Sequence, residues 1–437
     1  MAGASTHDAG GPRVLILSAT TGYQLRSFND AATRLGITLV FATDRCHALD
    51  DPWQDRAVAV RFHEEEASVA AVVAAAAERP VAGVLAVGDR PARMAAQVSA
   101  ALDLPGHPLP AVADATSKLR ARRRFAAAGL AAPWFVEVPD TEAPDAFAHD
   151  PRLVFPCVVK PTTLSGSRGV IRADTAGACA TAITRVRALL ARPDIRALRP
   201  HGGHQVIVEG FIPGREFAIE GVLTHGRLQP LAIFGKPDPL DGPFFEETIY
   251  ATPPDLDEPE QRAILTTVER AIAALGLSHG PVHAECRMDA GQVVMLEIAP
   301  RPIGGLCSRV LRFVSAASPE HEPISLEELL LRHATGEDVS GWRREPQAAA
   351  VMMIPIPRRG HLRRVEGEAA ARAVPLIDDL RVTAKPDQLV EPLPEAGSYL
   401  GFIFARARSA SEATLALRQA HACLSFVIET PIGVRPA

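Results

Sequence analysis

Residues 282–288 and 292–298 read as two strands joined by Asp289-Ala290-Gly291, a turn signal for an antiparallel hairpin. Each strand carries one glutamate among mostly apolar residues. Strand alternation puts Glu285 on the face of His283 and Glu297 on the face of Met295, and in simple register the two glutamates are near neighbours. Like charges side by side on a sheet destabilise it unless something positive joins them. Two solvated glutamates would suit an exposed polar hairpin, but the surrounding sequence is apolar. Mg²⁺ held by the two carboxylates together with substrate phosphates is the natural partner, and Mn²⁺ suits the same oxygen donors. The chain must therefore fold so that this hairpin turns one face towards a charged site.

The apolar run at residues 14–17 leads into Ser18-Ala19-Thr20-Thr21-Gly22, then a helical stretch to Leu35-Gly36 and a strand at 37–41. An alanine-rich helix is predicted at 69–78, and a strand at 84–87 runs into a Gly88-Asp89 loop. Strands alternating with helices imply an α/β fold with a parallel sheet covered on both faces. Sites in such sheets lie at the carboxyl ends of strands, where Thr20–Gly22 and Gly88-Asp89 fall. A second region begins near Asp114, with a basic helix predicted at 118–129 and Gly129 as its C-cap. Strands at 153–160, 206–209, 218–223 and 231–234 and a helix at 262–275 follow, which makes this part α+β. From about residue 345 the chain is Pro-rich and β-leaning. These shifts suggest domains at 1–112, 113–340 and 341–437, the central one with lobes at about 150–212 and 213–340.

Three further segments carry chemistry. Lys118 opens the basic helix after Ala115-Thr116-Ser117. Lys160 ends a strand and is followed by Ser165-Gly166-Ser167-Arg168-Gly169-Val170. A strand-end lysine is a point charge for phosphate oxygens, and a small-residue loop lets backbone N–H groups approach an anion. Neither a Walker A loop nor a G-x-G-x-x-G fingerprint is present. The segment from Glu209 through Gly210, Phe211 and Ile212 to Glu216 reads as a strand, a connector and a second strand. Its connector could offer main-chain groups to an adenine edge, and Glu216 could accept from ribose hydroxyls. Beyond Glu297, Arg301 could grip a carboxylate or acyl phosphate in a bidentate way, and the Gly304 and Gly305 amides could face a developing oxyanion. Each feature alone reads equally as a turn or a surface charge; their order is what gives them weight.

Taken together, Lys118, Lys160 with S-G-S-R-G-V, E-G-F-I-P-G-R-E, and H-A-E with E-I-A-P-R-P-I-G-G resemble the ATP-grasp superfamily over roughly residues 110–315. The resemblance implies a Rossmann-like N-terminal domain, a two-lobed ATP-grasp fold and a C-terminal extension completing the substrate side. It implies ATP as the nucleotide, with Lys118 and Lys160 on its phosphates and Gly166 and Ser167 covering them. Glu209, Gly210, Phe211 and Ile212 would form the adenine hinge, with Glu216 on the ribose. Glu285 and Glu297 would be the metal ligands, and Arg301 would steady the acyl phosphate. Many members carry Asn two residues after the second glutamate; here that position is Ala299. The wording is most like the L-amino-acid ligases that make dipeptides, the bacilysin-synthetase type. On that likeness Lys236 would reach a phosphate, and Asp89, Glu247, Tyr250 and His283 would line the substrate pocket.

The expected activity is ATP-dependent ligation of a small carboxylate to an amine through an acyl phosphate. A bicarbonate-activating enzyme of biotin-carboxylase or purine-biosynthesis type is one rival, and a non-catalytic nucleotide-binding protein is another. A net charge of −5 over 437 residues gives no general attraction to nucleic acid or anionic membranes. No apolar run approaches the roughly 20 residues that span a bilayer. The six cysteines form no C-x-x-C pair and read as free thiols, so a cytoplasmic location is expected. A homodimer is the base-rate expectation.

Overall fold

The computed structural model describes residues 11–19, 23–44, 57–200, 203–318 and 320–430. Thr20–Gly22 and Cys46 lie outside them. The chain opens with strands β1 (Arg13–Ser18), β2 (Thr38–Thr43), β3 (Ala57–Ala59) and β4 (Gly83–Val87), all parallel, in the order β3-β2-β1-β4. Residues 14–17 of β1 are all apolar because both faces of the strand are covered. Val14 and Ile16 pack with Phe28 and Ala31 of helix α1 (Tyr23–Leu35). Leu15 and Leu17 pack with Val72 of α2 (Glu65–Glu78) and Met94 of α3 (Asp89–Ala101). Asp89 is not in a loop as expected: Gly88, at φ 99°, turns the chain sharply and Asp89 becomes the first residue of α3. Its carboxylate then sits at the helix end that favours negative charge.

Helices α4 (Leu109–Ala115) and α5 (Lys118–Ala127) lead into the second unit, and the Ser117 side chain caps α5. Strands β5 (Phe135–Val138), β6 (Cys157–Pro161), β7 (Ile171–Ala173) and β8 (Val206–Gly210) form an antiparallel sheet in the order β5-β8-β6-β7. It is backed by Ile183 and Val186 of the helix Ala176–Leu190.

The third unit is an eight-stranded antiparallel sheet. Strands β9 (Arg215–Thr224), β10 (Arg227–Lys236), β11 (Ile249–Thr252), β12 (Gly280–Asp289) and β13 (Gln292–Ala299) supply one part. Beyond β11 the same sheet continues with Ala348–Ile354, Gly401–Ala407 and Ile377–Val382. The C-terminal part is strand-rich as its sequence suggests, and the helix Ala410–Ala422 packs Ala413, Ala416, Leu417 and Ala420 onto that sheet. Its capping box, Ser409 with Glu412, fixes where it starts.

The hairpin β12–β13 forms as expected, but not in simple register. Cys286 pairs with Met295, then Glu285 pairs with Glu297, so Leu296 is the extra residue of a β-bulge. The expectation that Glu297 shares a face with Met295 is therefore overturned. Met295 is buried in the core with Cys286, while the bulge turns Leu296 and Glu297 towards the same cavity as Glu285.

Candidate active site

A cavity of about 770 Å³ is bounded by α3, the β6–β7 loop, the β8–β9 connector, the β12–β13 hairpin and the segment 389–399. Every candidate residue named from the sequence lines it except Lys236, which lies just behind. The bulge places Glu285 and Glu297 side by side on its floor. Glu297 Oε2 is 3.2 Å from Lys118 Nζ. The same ammonium donates to Leu164 O at 2.7 Å, which sets it against the small-residue loop.

Glu285 Oε1 meets Lys236 Nζ at 3.3 Å, the Tyr250 hydroxyl at 3.2 Å and His283 Nε2 at 3.3 Å. Burial pushes the Glu285 carboxyl up, but Lys236 and His283 overcome it and hold it below the usual carboxylate range. Burial works against a charge on His283, yet its place between Glu220 and Glu285 raises it to about 9. Lys236 also pairs with Glu247, and with Glu216 at 2.6 Å. Burial, with Glu285 and Glu216 close by, raises Glu247 to about 7 despite Lys236. The second oxygen of Glu216 accepts from Arg287 Nε at 2.7 Å. A carboxylate trio, Glu216, Glu247 and Glu285, thus surrounds one ammonium.

Lys160, at the end of β6, pairs with Glu209, which is in turn gripped by Arg122 at 2.9 and 3.2 Å. Burial, with repulsion from Arg122 and Lys118, lowers Lys160 to about 8 even against the pull of Glu209. The Glu209 side chain therefore serves these two cations, and only the backbone of residues 210–212 remains to meet a base. Of that backbone, the Gly210 and Phe211 N–H groups already donate to Trp134 O and Pro156 O. The Phe211 ring lies under the Arg172 guanidinium at 4.3 Å, beside Val158, Leu240 and Phe245, and makes an apolar shelf. The loop after Lys160 turns back through Gly166 at φ 65° and Ser167 at φ 54°. Arg301 donates to both oxygens of Asp89, at 2.7 and 3.2 Å. In the turn that follows, Gly305 has φ 63°, and a Cβ there would meet the Phe402 ring at 2.9 Å.

Glu285 and Glu297 supply the hard oxygen donors a Mg²⁺ ion requires, and facing side chains on paired strands fit that role. Ala299 is buried and adds no donor.

Three residues at the site were missed in the sequence, though each carried a signal. Arg122 lies four residues after Lys118 on one helix face; it is fully buried and its Nη1 donates to Leu296 O at 2.7 Å, holding the bulge. Arg287 follows His283 and Glu285 at strand spacing, and its remaining nitrogens donate to Ile212 O and Leu240 O. Glu220 continues the face of Glu216 and accepts from Ile303 N at 2.6 Å, fixing the turn after Arg301. Glu395 and Tyr399 arrive from the C-terminal part with no comparable local signal.

Three family models match the chain. They are the ATP-grasp N-terminal domain over residues 29–106, the ATP-grasp domain over 153–310, and L-amino acid ligase C-terminal domain 2 over 352–429. The crystal structure of L-amino acid ligase from Bacillus licheniformis is 27% identical, with a TM-score of 0.81 over 96% of this chain and 100% of that one. Carboxyaminoimidazole ribonucleotide synthase of Aspergillus clavatus, solved with ATP, shares the fold at 16% identity and a TM-score of 0.69, over 95% of this chain and 98% of that one. A Sinorhizobium fredii protein named only as the uncharacterized protein y4rH is 25% identical over 346 residues, 78% of this chain and 67% of that one. Among the described residues no helix is long and apolar enough to cross a membrane.

Proposed function

We propose, from the premise that this chain is an ATP-grasp protein with an L-amino acid ligase type of C-terminal domain, that it joins a small amino-acid carboxylate to an amine. The observation that carries the reading is convergence. Lys118, Lys160, Glu285, Glu297 and Arg301, spread over more than 180 residues, line one cavity, with Glu297 3.2 Å from Lys118.

ATP would lie with its base on the Phe211 shelf and its phosphates between Lys118, Lys160 and the 165–170 loop. Glu285 and Glu297 would hold Mg²⁺, which when bound neutralises phosphate charge. In the first step a substrate carboxylate oxygen bonds to the γ-phosphorus, the bond to the bridging oxygen breaks and ADP leaves. Lys160 and Arg301 stabilise the charge that develops in line. In the second step the amine nitrogen bonds to the acyl carbon, the bond from that carbon to the phosphate oxygen breaks, and inorganic phosphate leaves with the proton the nitrogen gives up. Arg301 and the Gly304 and Gly305 amides face the tetrahedral oxyanion. The loop at 165–170 excludes water from the acyl phosphate.

Phosphate release from ATP, measured with pairs of amino acids and then with bicarbonate, tests this. Release only with amino-acid pairs, and a product with the mass of their amide, supports the reading. Release with bicarbonate alone, or none with any substrate, overturns it. Glu297→Gln should abolish release while leaving the melting curve native.

A further inference from the structure

Arg301 uses its nitrogens in a particular way. Its Nε and Nη2 edge donates to Asp89 at 2.7 and 3.2 Å, and its Nη1 donates to Pro302 O at 3.0 Å. Beyond this fork, Lys118 and Ser165 nearby also favour the ionised form of the Asp89 carboxylate. A carboxylate gripped in this way occupies the guanidinium that the proposed reaction turns on the substrate's developing charge. A bidentate guanidinium edge serves one such anion at a time. A substrate anion can therefore take this edge only by removing Asp89.

We propose that Asp89 is an exchangeable counter-ion of Arg301, keeping the seat of the substrate carboxylate and yielding it when the substrate anion arrives. The idea rests on the acyl-phosphate reading above. Asp89 can leave without being stranded: its side chain is 27% exposed, and it stands at the N-terminal end of α3, where the helix dipole favours a carboxylate. The released carboxylate is then available to an incoming ammonium.

Calorimetric titration with inorganic phosphate, in the presence of ADP and Mg²⁺, tests the exchange without requiring turnover. Asp89→Asn keeps the shape and removes the competing charge, so phosphate should bind about tenfold more tightly than to the unaltered protein. Asp89→Ala should show the same gain and guards against misfolding of the first variant. Arg301→Met should erase the gain when combined with either. Phosphate affinity that is unchanged or weaker in both natively melting Asp89 variants overturns the proposal. A gain that survives Arg301→Met overturns it too. Failure of every amino-acid pair in the phosphate-release assay would end the functional reading and leave this titration to decide the exchange by itself.

Discussion

Lys160 illustrates how one residue can be legible in type but not in state. Its position at a strand end suggests a phosphate contact, but its pairing with Glu209 and its depressed value of about 8 follow from burial and from Arg122 and Lys118 nearby. A lysine lowered in this way is charged below that value and neutral above it. ATP affinity should therefore be full near pH 6.5 and fall as pH rises through about 8. Titration calorimetry should show this loss in the unaltered protein and a flat profile in Lys160→Arg. Lys160→Ala should bind ATP about tenfold to a hundredfold more weakly at neutral pH. An equal affinity at pH 6.5 and pH 9 in the unaltered protein would contradict the phosphate role. The same limit applies to Glu216 and Lys236. Their types suggested ribose and phosphate contacts, whereas their side chains first satisfy each other within a buried charge cluster. Pairing across β9, β10 and β12 creates that cluster, and sequence position alone does not reveal it.

Among the elements, the β12–β13 hairpin was readable from its turn, while its bulge was not. The bulge is fixed from outside the hairpin, by the buried Arg122 of α5 taking Leu296 O and pairing with Glu209 of β8. One guanidinium thus joins the helix of Lys118, the strand before the adenine connector and the floor that presents Glu297. Removing one member of a buried pair leaves the other poorly compensated. Arg122→Met should lower unfolding stability by about 3 kcal/mol in a denaturant titration. Arg122→Lys keeps the charge but loses the fork, and should recover less than half of that. A denaturant midpoint unchanged by Arg122→Met would remove it as the organiser of the site. The helix Ala410–Ala422 was also encoded locally, by apolar positions 413, 416, 417 and 420 at helical spacing. The Pro-rich stretches and strand-like runs before it obscured that period.

At the scale of the molecule, the alternation of strands and helices was sufficient to anticipate the N-terminal parallel sheet. The eight-stranded sheet was not legible as one object, because β11 finds Ala348–Ile354 about a hundred residues further on. Such distant pairing leaves no period in the sequence. The seams between units are where the remaining predictions lie. His107 spans one seam: its Nε2 lies 3.2 Å from Pro281 O and its Nδ1 accepts from Ser278 N at 3.3 Å, so the Ser278 N–H requires the neutral ring. Burial lowers it to about 4. Between that value and the ordinary 6.5 the unfolded chain binds the proton more readily, so stability is present above pH 6.5 and lost as pH falls towards 4. Melting between pH 4 and 7 should show this loss, and His107→Gln should reduce the slope by about 1–3 kcal/mol over the range.

A second seam faces the site. Gly169 N donates to Pro394 O at 2.9 Å, and Arg168 Nε to Glu395 O at 2.7 Å. Arg185 grips the Glu395 carboxylate at 2.6 and 2.9 Å, and Arg192 meets Glu391 at 2.9 Å. The 165–170 loop is thus clasped by the segment that carries Tyr399 into the cavity. Partly exposed pairs of this kind contribute only about 0.2–1 kcal/mol each. The double variant Glu391→Ala, Glu395→Ala should therefore melt within a few degrees of the unaltered protein, and less so at low salt. Its cover would open more often, and an acyl phosphate exposed to water is hydrolysed before the amine attacks. The ratio of phosphate released to amide formed should rise above one in the variant and should also rise with salt in the unaltered protein. A ratio fixed at one under both changes would mean that the clasp does not guard the intermediate.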